Sequence, residues 1–207
     1  MLPTRRFLLS VVAATPFAVP RHAAAQVASG GADPRMGERA MGAADAKVVV
    51  EEHFSLTCGH CAHFAQEILP QIRTTLIDTG KVRLVFRDFP LDQLALTAAM
   101  VARALPVERY EPFVLALFAS QERWAFNRQV NNIEEIWKMA ALAGLSRATF
   151  DATVADTKFK DTILAAQQAA SKDLGIKSTP SFVIKGQMYA GVLSLERFTE
   201  LATAAAN

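Results

Sequence analysis

Apolar positions along the chain recur with two different periods, and the change from one to the other marks the elements. Residues 47–54 (Lys47-Val48-Val49-Val50-Glu51-Glu52-His53-Phe54) are β-branched and apolar and read as a buried strand. From Cys61 the spacing turns helical, with Phe64, Ile68, Ile72 and Leu76 on one side. Pro70 sits inside that run and is expected to kink or interrupt it. Thr79-Gly80 closes the helix, and residues 82–89 alternate as a second strand. Strand signals then stop. Helical patterns occupy 94–105, 111–124, 133–143, 147–155 and 158–174, broken at Pro106, Asn131-Asn132, Gly144-Leu145-Ser146 and Asp156-Thr157. Strand-like sequence returns at 181–184, turns at Lys185-Gly186-Gln187 and resumes at 188–190, the pattern of a β-hairpin. Ser194 can cap a last helix over 195–205. The order is β-α-β, a helical block, then β-β-α, with no internal repeat. It is an α/β plan.

Composition adds a compartment. The formal charge of +2 comes from 22 basic and 20 acidic residues, but Arg5, Arg6 and Arg21 precede residue 26 in a stretch without acids. Without that stretch 19 basic residues face 20 acidic ones, which gives no electrostatic case for nucleic acid. Arg5-Arg6, an apolar run from Phe7 to Val19, Pro20 and Ala23-Ala24-Ala25 follow the order of a secretory signal peptide over residues 1–25. The run is shorter than the roughly 20 residues that span a bilayer. Cleavage is expected after Ala25, leaving Gln26 first. Thr4-Arg5-Arg6-Phe7-Leu8-Leu9 loosely resembles a twin-arginine signal, and both export routes stay open. Residues 26–38 then read as a mobile tail, within a Gly- and Ala-rich lead-in that runs to Asp45. A domain is expected over 39–207, with its helical insertion at about 92–172. Export implies a periplasmic, oxidising location.

The chemistry concentrates in Thr57-Cys58-Gly59-His60-Cys61-Ala62-His63, which holds both cysteines at the junction of strand and helix. A Cys-x-x-Cys loop is too short to restrain the unfolded chain much, so reactivity explains the pair better than stapling does. Structural zinc is the alternative, but it needs four ligands. The extra candidates, His53, His60 and His63, crowd into the same few residues, so no metal is expected. Covalent haem attachment needs His directly after the second cysteine, where Ala62 stands. A helix N-terminus favours an anion, so Cys58 should have a lowered pKa, with His60 placed to donate a hydrogen bond or positive charge. Stabilising the thiolate stabilises the reduced form and makes the disulfide more oxidising. Cys61, one turn in, should be the more buried thiol. Gly59 lets the loop bend and leaves the Cys58 sulfur open. Far along the chain, Ser178-Thr179-Pro180-Ser181 precedes a strand, where proline costs no ladder bond.

With Glu52-His53-Phe54-Ser55-Leu56-Thr57-Cys58-Gly59-His60-Cys61, Phe86-Arg87-Asp88-Phe89-Pro90-Leu91 and Thr179-Pro180 together, the chain from Arg39 onward resembles the DsbA family of exported bacterial dithiol oxidases. The resemblance implies a thioredoxin fold, a mixed central sheet with an inserted helical domain. It implies Cys58 as the exposed nucleophile, Cys61 as the resolving thiol, Glu52 as a buried acid assisting proton transfer from Cys61, and Thr179-Pro180 as a cis-proline loop that binds substrate backbone. It implies reduced, unfolded exported polypeptides as substrates and a quinone-linked membrane thiol oxidase as reoxidant. No small-molecule cofactor is implied, since the cysteine pair carries the electrons, and a monomer is expected. Two departures, Gly59-His60 in the loop and Thr179 before the proline, are similar to disulfide isomerases. A disulfide isomerase or reductase kept reduced, or a non-redox binding or chaperone module, is therefore the alternative. The glutathione-dependent branch of the same fold lacks the two-cysteine loop.

Overall fold

The computed structural model describes residues 33–206. The signal-peptide expectation for residues 1–25 lies outside them. Five strands form one sheet, ordered β1 (Ala40–Met41), β3 (Val82–Asp88), β2 (Val48–Phe54), β4 (Ser181–Ile184) and β5 (Gln187–Ala190). β2 and β3 are parallel and the other neighbours antiparallel. A parallel pair needs a long crossover. Here α1 (Gly59–His63) and α2 (Leu69–Ile72) supply it, with π-helical turns at Phe64–Ile68 and Arg73–Ile77. Pro70 lies in the first turn of α2, and the Leu69 N–H reaches back to the Phe64 carbonyl. The widened ladder absorbs the proline, so the run changes pitch on both sides of it without breaking.

Residues 33–45, which composition assigns to a lead-in, are built into the domain. Ala40 and Met41 pair with Val85 and Leu84 of β3. The Arg35 guanidinium bridges Asp33 and Asp156 and lies 3.6 Å above the Phe159 ring. A two-residue edge strand has no period to detect, and its partner is distant in sequence.

Alternation along β2 divides the sheet faces. Val50, Glu52 and Phe54 point to the side of α1, where Phe64, Phe182 and Phe198 of α8 (Leu195–Ala206) pack edge to face or tilted. On the other face Val183 packs with Phe89 and Ile176 beneath α7 (Thr157–Asp173). The hairpin turn uses two residues, Lys185 and Gly186, both at positive φ (47° and 77°), so Gln187 already belongs to β5.

The helical block contains α3 (Gln93–Ala104), α4 (Val107–Ala119), a π-helical stretch Glu122–Phe126, α5 (Asn132–Leu142), α6 (Arg147–Ala155) and α7. The pattern starts the second helix at 111, but α4 begins directly after Pro106 and carries Pro112 inside it. Pro112 is exposed, so the Glu108 carbonyl it leaves free can bond water. Phe113, Phe118 and Trp124 are core side chains, and Phe118 meets Phe54 of β2 at 5.7 Å between ring centroids. That contact seats the block beside the start of α1.

Candidate active site

The turn between β2 and α1 places Cys58 at the helix N-cap, in an extended backbone conformation (φ −86°, ψ 116°). Its sulfur accepts the Cys61 N–H at 3.3 Å, and its thiol donates to the Thr179 carbonyl at 3.4 Å. Thr179 is 121 positions away, and the Thr179–Pro180 peptide bond that brings it there is cis. A thiolate cannot donate. The Thr179 hydroxyl, buried and unpartnered, is then the group that can turn to the charged sulfur. The hydrogen bonds at Cys61, opposed by burial and helped by Thr179 and the His60 backbone N–H, hold the Cys58 thiol down at about 5. Cys61 is fully buried. Burial first, then the Cys58 sulfur and the Glu52 carboxyl, push its thiol far above the ordinary range. The two sulfurs are not joined here.

Glu52 is only 2% exposed, opposite Phe86 on one neighbouring strand and Phe182 on the other. Burial, then the charge of Cys58, pushes the Glu52 carboxyl up to about 8. Alternation sends His53 to the opposite face of the sheet, edge-on to Phe89, so it is parted from the cysteines.

Two expectations change. The His60 side chain is exposed and makes no hydrogen bond to the Cys58 sulfur; its contribution comes from its backbone N–H. Gly59 has no left-handed backbone, and a Cβ built on it meets nothing within 4 Å. Its place at the first helical position leaves the approach to Cys58 open, and no bend requires glycine there. Among the described residues no group of three or more His, Cys, Asp and Glu is arranged to hold a metal ion.

The side chains that brace this loop are not among the candidate site residues read from the sequence. Thr57 donates to Asp92 at 2.6 Å, while Asp92 also caps α3 through the Ala95 N–H. Gln121, just past α4, donates its amide to the carbonyls of Leu56 (2.8 Å) and Cys58 (3.2 Å). Asp92 was visible as a cap in principle. A glutamine in a helical stretch carries no such signal.

The dithiol pair thus lies at a strand-to-helix turn and faces a distant cis-proline loop. The family model described as thioredoxin matches residues 35–203. The crystal structure of alpha-DsbA1 from Wolbachia pipientis is 31% identical, with 83% of this chain and 92% of that one covered and a TM-score of 0.75. The chain belongs to the thioredoxin family, in its DsbA-like branch. Oxidised BdbD from Bacillus subtilis shares the fold at 18% identity, with 82% of this chain and 93% of that one covered and a TM-score of 0.72. A Rickettsia bellii protein named "Putative protein-disulfide oxidoreductase" is 28% identical over 147 residues, which are 70% of this chain and 56% of that protein. The DsbA-like chain thus spans about half the length of the curated relatives it matches. Its mixed five-stranded sheet with a helical insertion is the thioredoxin plan that the family resemblance implies.

Proposed function

We propose that this DsbA-like protein is an exported, periplasmic thiol–disulfide oxidoreductase that donates its Cys58–Cys61 disulfide to reduced, unfolded exported polypeptides. The observation that carries the reading is the contrast between the two sulfurs: Cys58 is held low at about 5, while its partner three residues on is pushed far up. A substrate thiolate attacks the Cys58 sulfur, the Cys58–Cys61 bond breaks, and its electron pair leaves on Cys61. Cys61 is too buried to remain charged and takes up a proton. Glu52, largely protonated at neutral pH, is the acid placed to supply it. The substrate's second thiolate then attacks the substrate sulfur of the mixed disulfide, and Cys58 leaves as its stabilised thiolate. Two electrons have passed from substrate to the pair, and the substrate holds the new disulfide. The Thr179-Pro180 loop, against Cys58, is where the substrate backbone pairs. A quinone-linked membrane thiol oxidase returns the pair to the disulfide. The protein acts as a monomer without a small-molecule cofactor.

Cys58→Ser should abolish oxidation of a reduced model polypeptide, and Cys61→Ser should accumulate mixed disulfides visible on non-reducing gels. Full activity in Cys58→Ser would overturn the reading. Thr179 and Gly59-His60 favour one second reading, isomerisation by a pair kept reduced. Alkylation trapping in cells separates the two, because a donor is found mostly disulfide-bonded and an isomerase mostly as thiols.

A further inference from the structure

We propose that Gln121 is a positioning residue for the redox pair, through which the helical insertion sets how oxidising Cys58–Cys61 is. The proposal rests on the redox reading above. Gln121 lies just beyond the Ser120 that ends α4, and it is 6% exposed although it is polar. Its amide nitrogen spends both protons on the active-site turn, on the carbonyls of Leu56 at 2.8 Å and Cys58 at 3.2 Å. The Cys58 backbone is consequently held at both ends. Its N–H donates to the Ser55 carbonyl at 3.0 Å, while its carbonyl accepts from the Ala62 N–H at 3.1 Å and from Gln121.

That clamp matters because the Cys58 sulfur depends on where its own backbone points. The bond from the Cys61 N–H spans 3.3 Å, an ordinary length for a sulfur acceptor, and hydrogen bonds weaken steeply once their alignment is lost. Gln121 does not touch the sulfur. It fixes the peptide that aims the sulfur at the start of α1 and at Thr179. Without the amide two buried carbonyls lose a donor, and the turn relaxes toward whatever partner it can find. The thiolate then loses part of its stabilisation while the disulfide, which carries no charge, does not. The Cys58 pKa should rise and the pair should become less oxidising.

The test uses the full-length protein with Gln121→Met, which keeps length and apolar volume but has no donor. The control is Gln66→Met. Gln66 also ties the crossover helix to the insertion, donating to the Phe118 carbonyl at 3.3 Å, but it leaves the Cys58 turn alone. Circular dichroism establishes folding, thiolate absorbance against pH gives the Cys58 pKa, and equilibration with glutathione gives the redox constant. In Gln121→Met the Cys58 pKa should rise by about one unit and the equilibrium constant for oxidising glutathione should fall about tenfold, which is about 30 mV. Gln66→Met should leave both values where they are. If Gln121→Met does not fold, Gln121→Asn, with its amide one methylene short of the carbonyls, is measured in the same way and should shift both in the same direction. A folded Gln121 variant with the wild-type pKa and constant overturns the assignment. Wild-type protein that fails to exchange disulfides overturns the functional reading instead, so the two failures are distinct.

Discussion

At the scale of single residues, the site is a set of titrating groups pulled in opposite directions, and their pH behaviour follows. Cys58 titrates at about 5 in the folded protein, against 9.0 for an unperturbed thiol. Its reaction with iodoacetamide should therefore be half-maximal near that pH and level above neutrality, since only the thiolate reacts. A midpoint in the ordinary thiol range would show that the hydrogen bonds from the α1 N-terminus do not act as described. In the reduced protein this depressed thiol contributes stability that is complete above the unfolded pKa and lost as pH falls through the folded one. Glu52 works in the other direction. Its folded pKa, about 8, lies above the ordinary 4.5, so the unfolded chain ionises first and stability falls as pH rises between those values. Each unit of difference is worth roughly 1.4 kcal/mol. The reduced wild-type protein should thus show a weak net dependence between about pH 5 and 8, where the two slopes oppose. Glu52→Gln removes the falling slope, so urea unfolding of the reduced variant should show stability rising steeply over that window. Parallel wild-type and variant curves would place the carboxyl outside the low-dielectric site.

The start of α1 makes its own prediction at the scale of the element. Gly59 occupies the first helical position, where proline is favoured because the N–H there has no helical partner. Cys58 already holds the extended conformation that a following proline demands. A Cβ at 59 meets nothing within 4 Å. Gly59→Pro should therefore stabilise the protein, by about 0.4–1 kcal/mol in thermal or denaturant unfolding, through the reduced freedom of the unfolded chain. Destabilisation of similar size would mean that the loop needs glycine for a conformation absent from this structure. The same element shows how local pattern both succeeds and fails. The helical period from Cys61 onward and the disturbance at Pro70 are legible in sequence, because each follows from local geometry. The π-helical turns that resolve the disturbance are not, since the choice between breaking and widening a ladder is made by packing against the sheet. The start of α4 shows a related failure. Pro112 looks like a helix breaker, yet it sits on an exposed side where water can serve the free carbonyl.

Across the whole molecule, one buried ionic cluster fastens the N-terminal segment and the helical insertion to the sheet. Asp88, at the end of β3, receives hydrogen bonds from Arg103 of α3 and from the Tyr110 hydroxyl of α4 at 3.2 Å. Arg103 also donates to the carbonyls of Arg35 and Gly37, and Arg39 donates to the Arg103 carbonyl. Side chains of Asp88 and Arg103 are each 4% exposed. Arg103→Met would leave Asp88 charged and unpaired in that interior, at a cost of about 3–5 kcal/mol, whereas adding Asp88→Asn should recover a large part of it. Denaturant unfolding of the single and double variants checks this, and additive losses would show that the two side chains are not coupled.

The order of strands and helices from residue 47 onward, the strand-to-helix position of the cysteine pair and the alternation that sends Glu52 and His53 to opposite faces were all determined by the sequence itself. Each is a matter of local period and junction chemistry. Tertiary structure decided what those residues meet. It sealed Glu52 between Phe86 and Phe182, turned the His60 side chain outward, joined Ala40–Met41 to the sheet edge, and set Thr179 and Gln121 against the Cys58 turn. Burial and contact between residues far apart in the chain leave no period to read, and at this site they are what separates the two sulfurs.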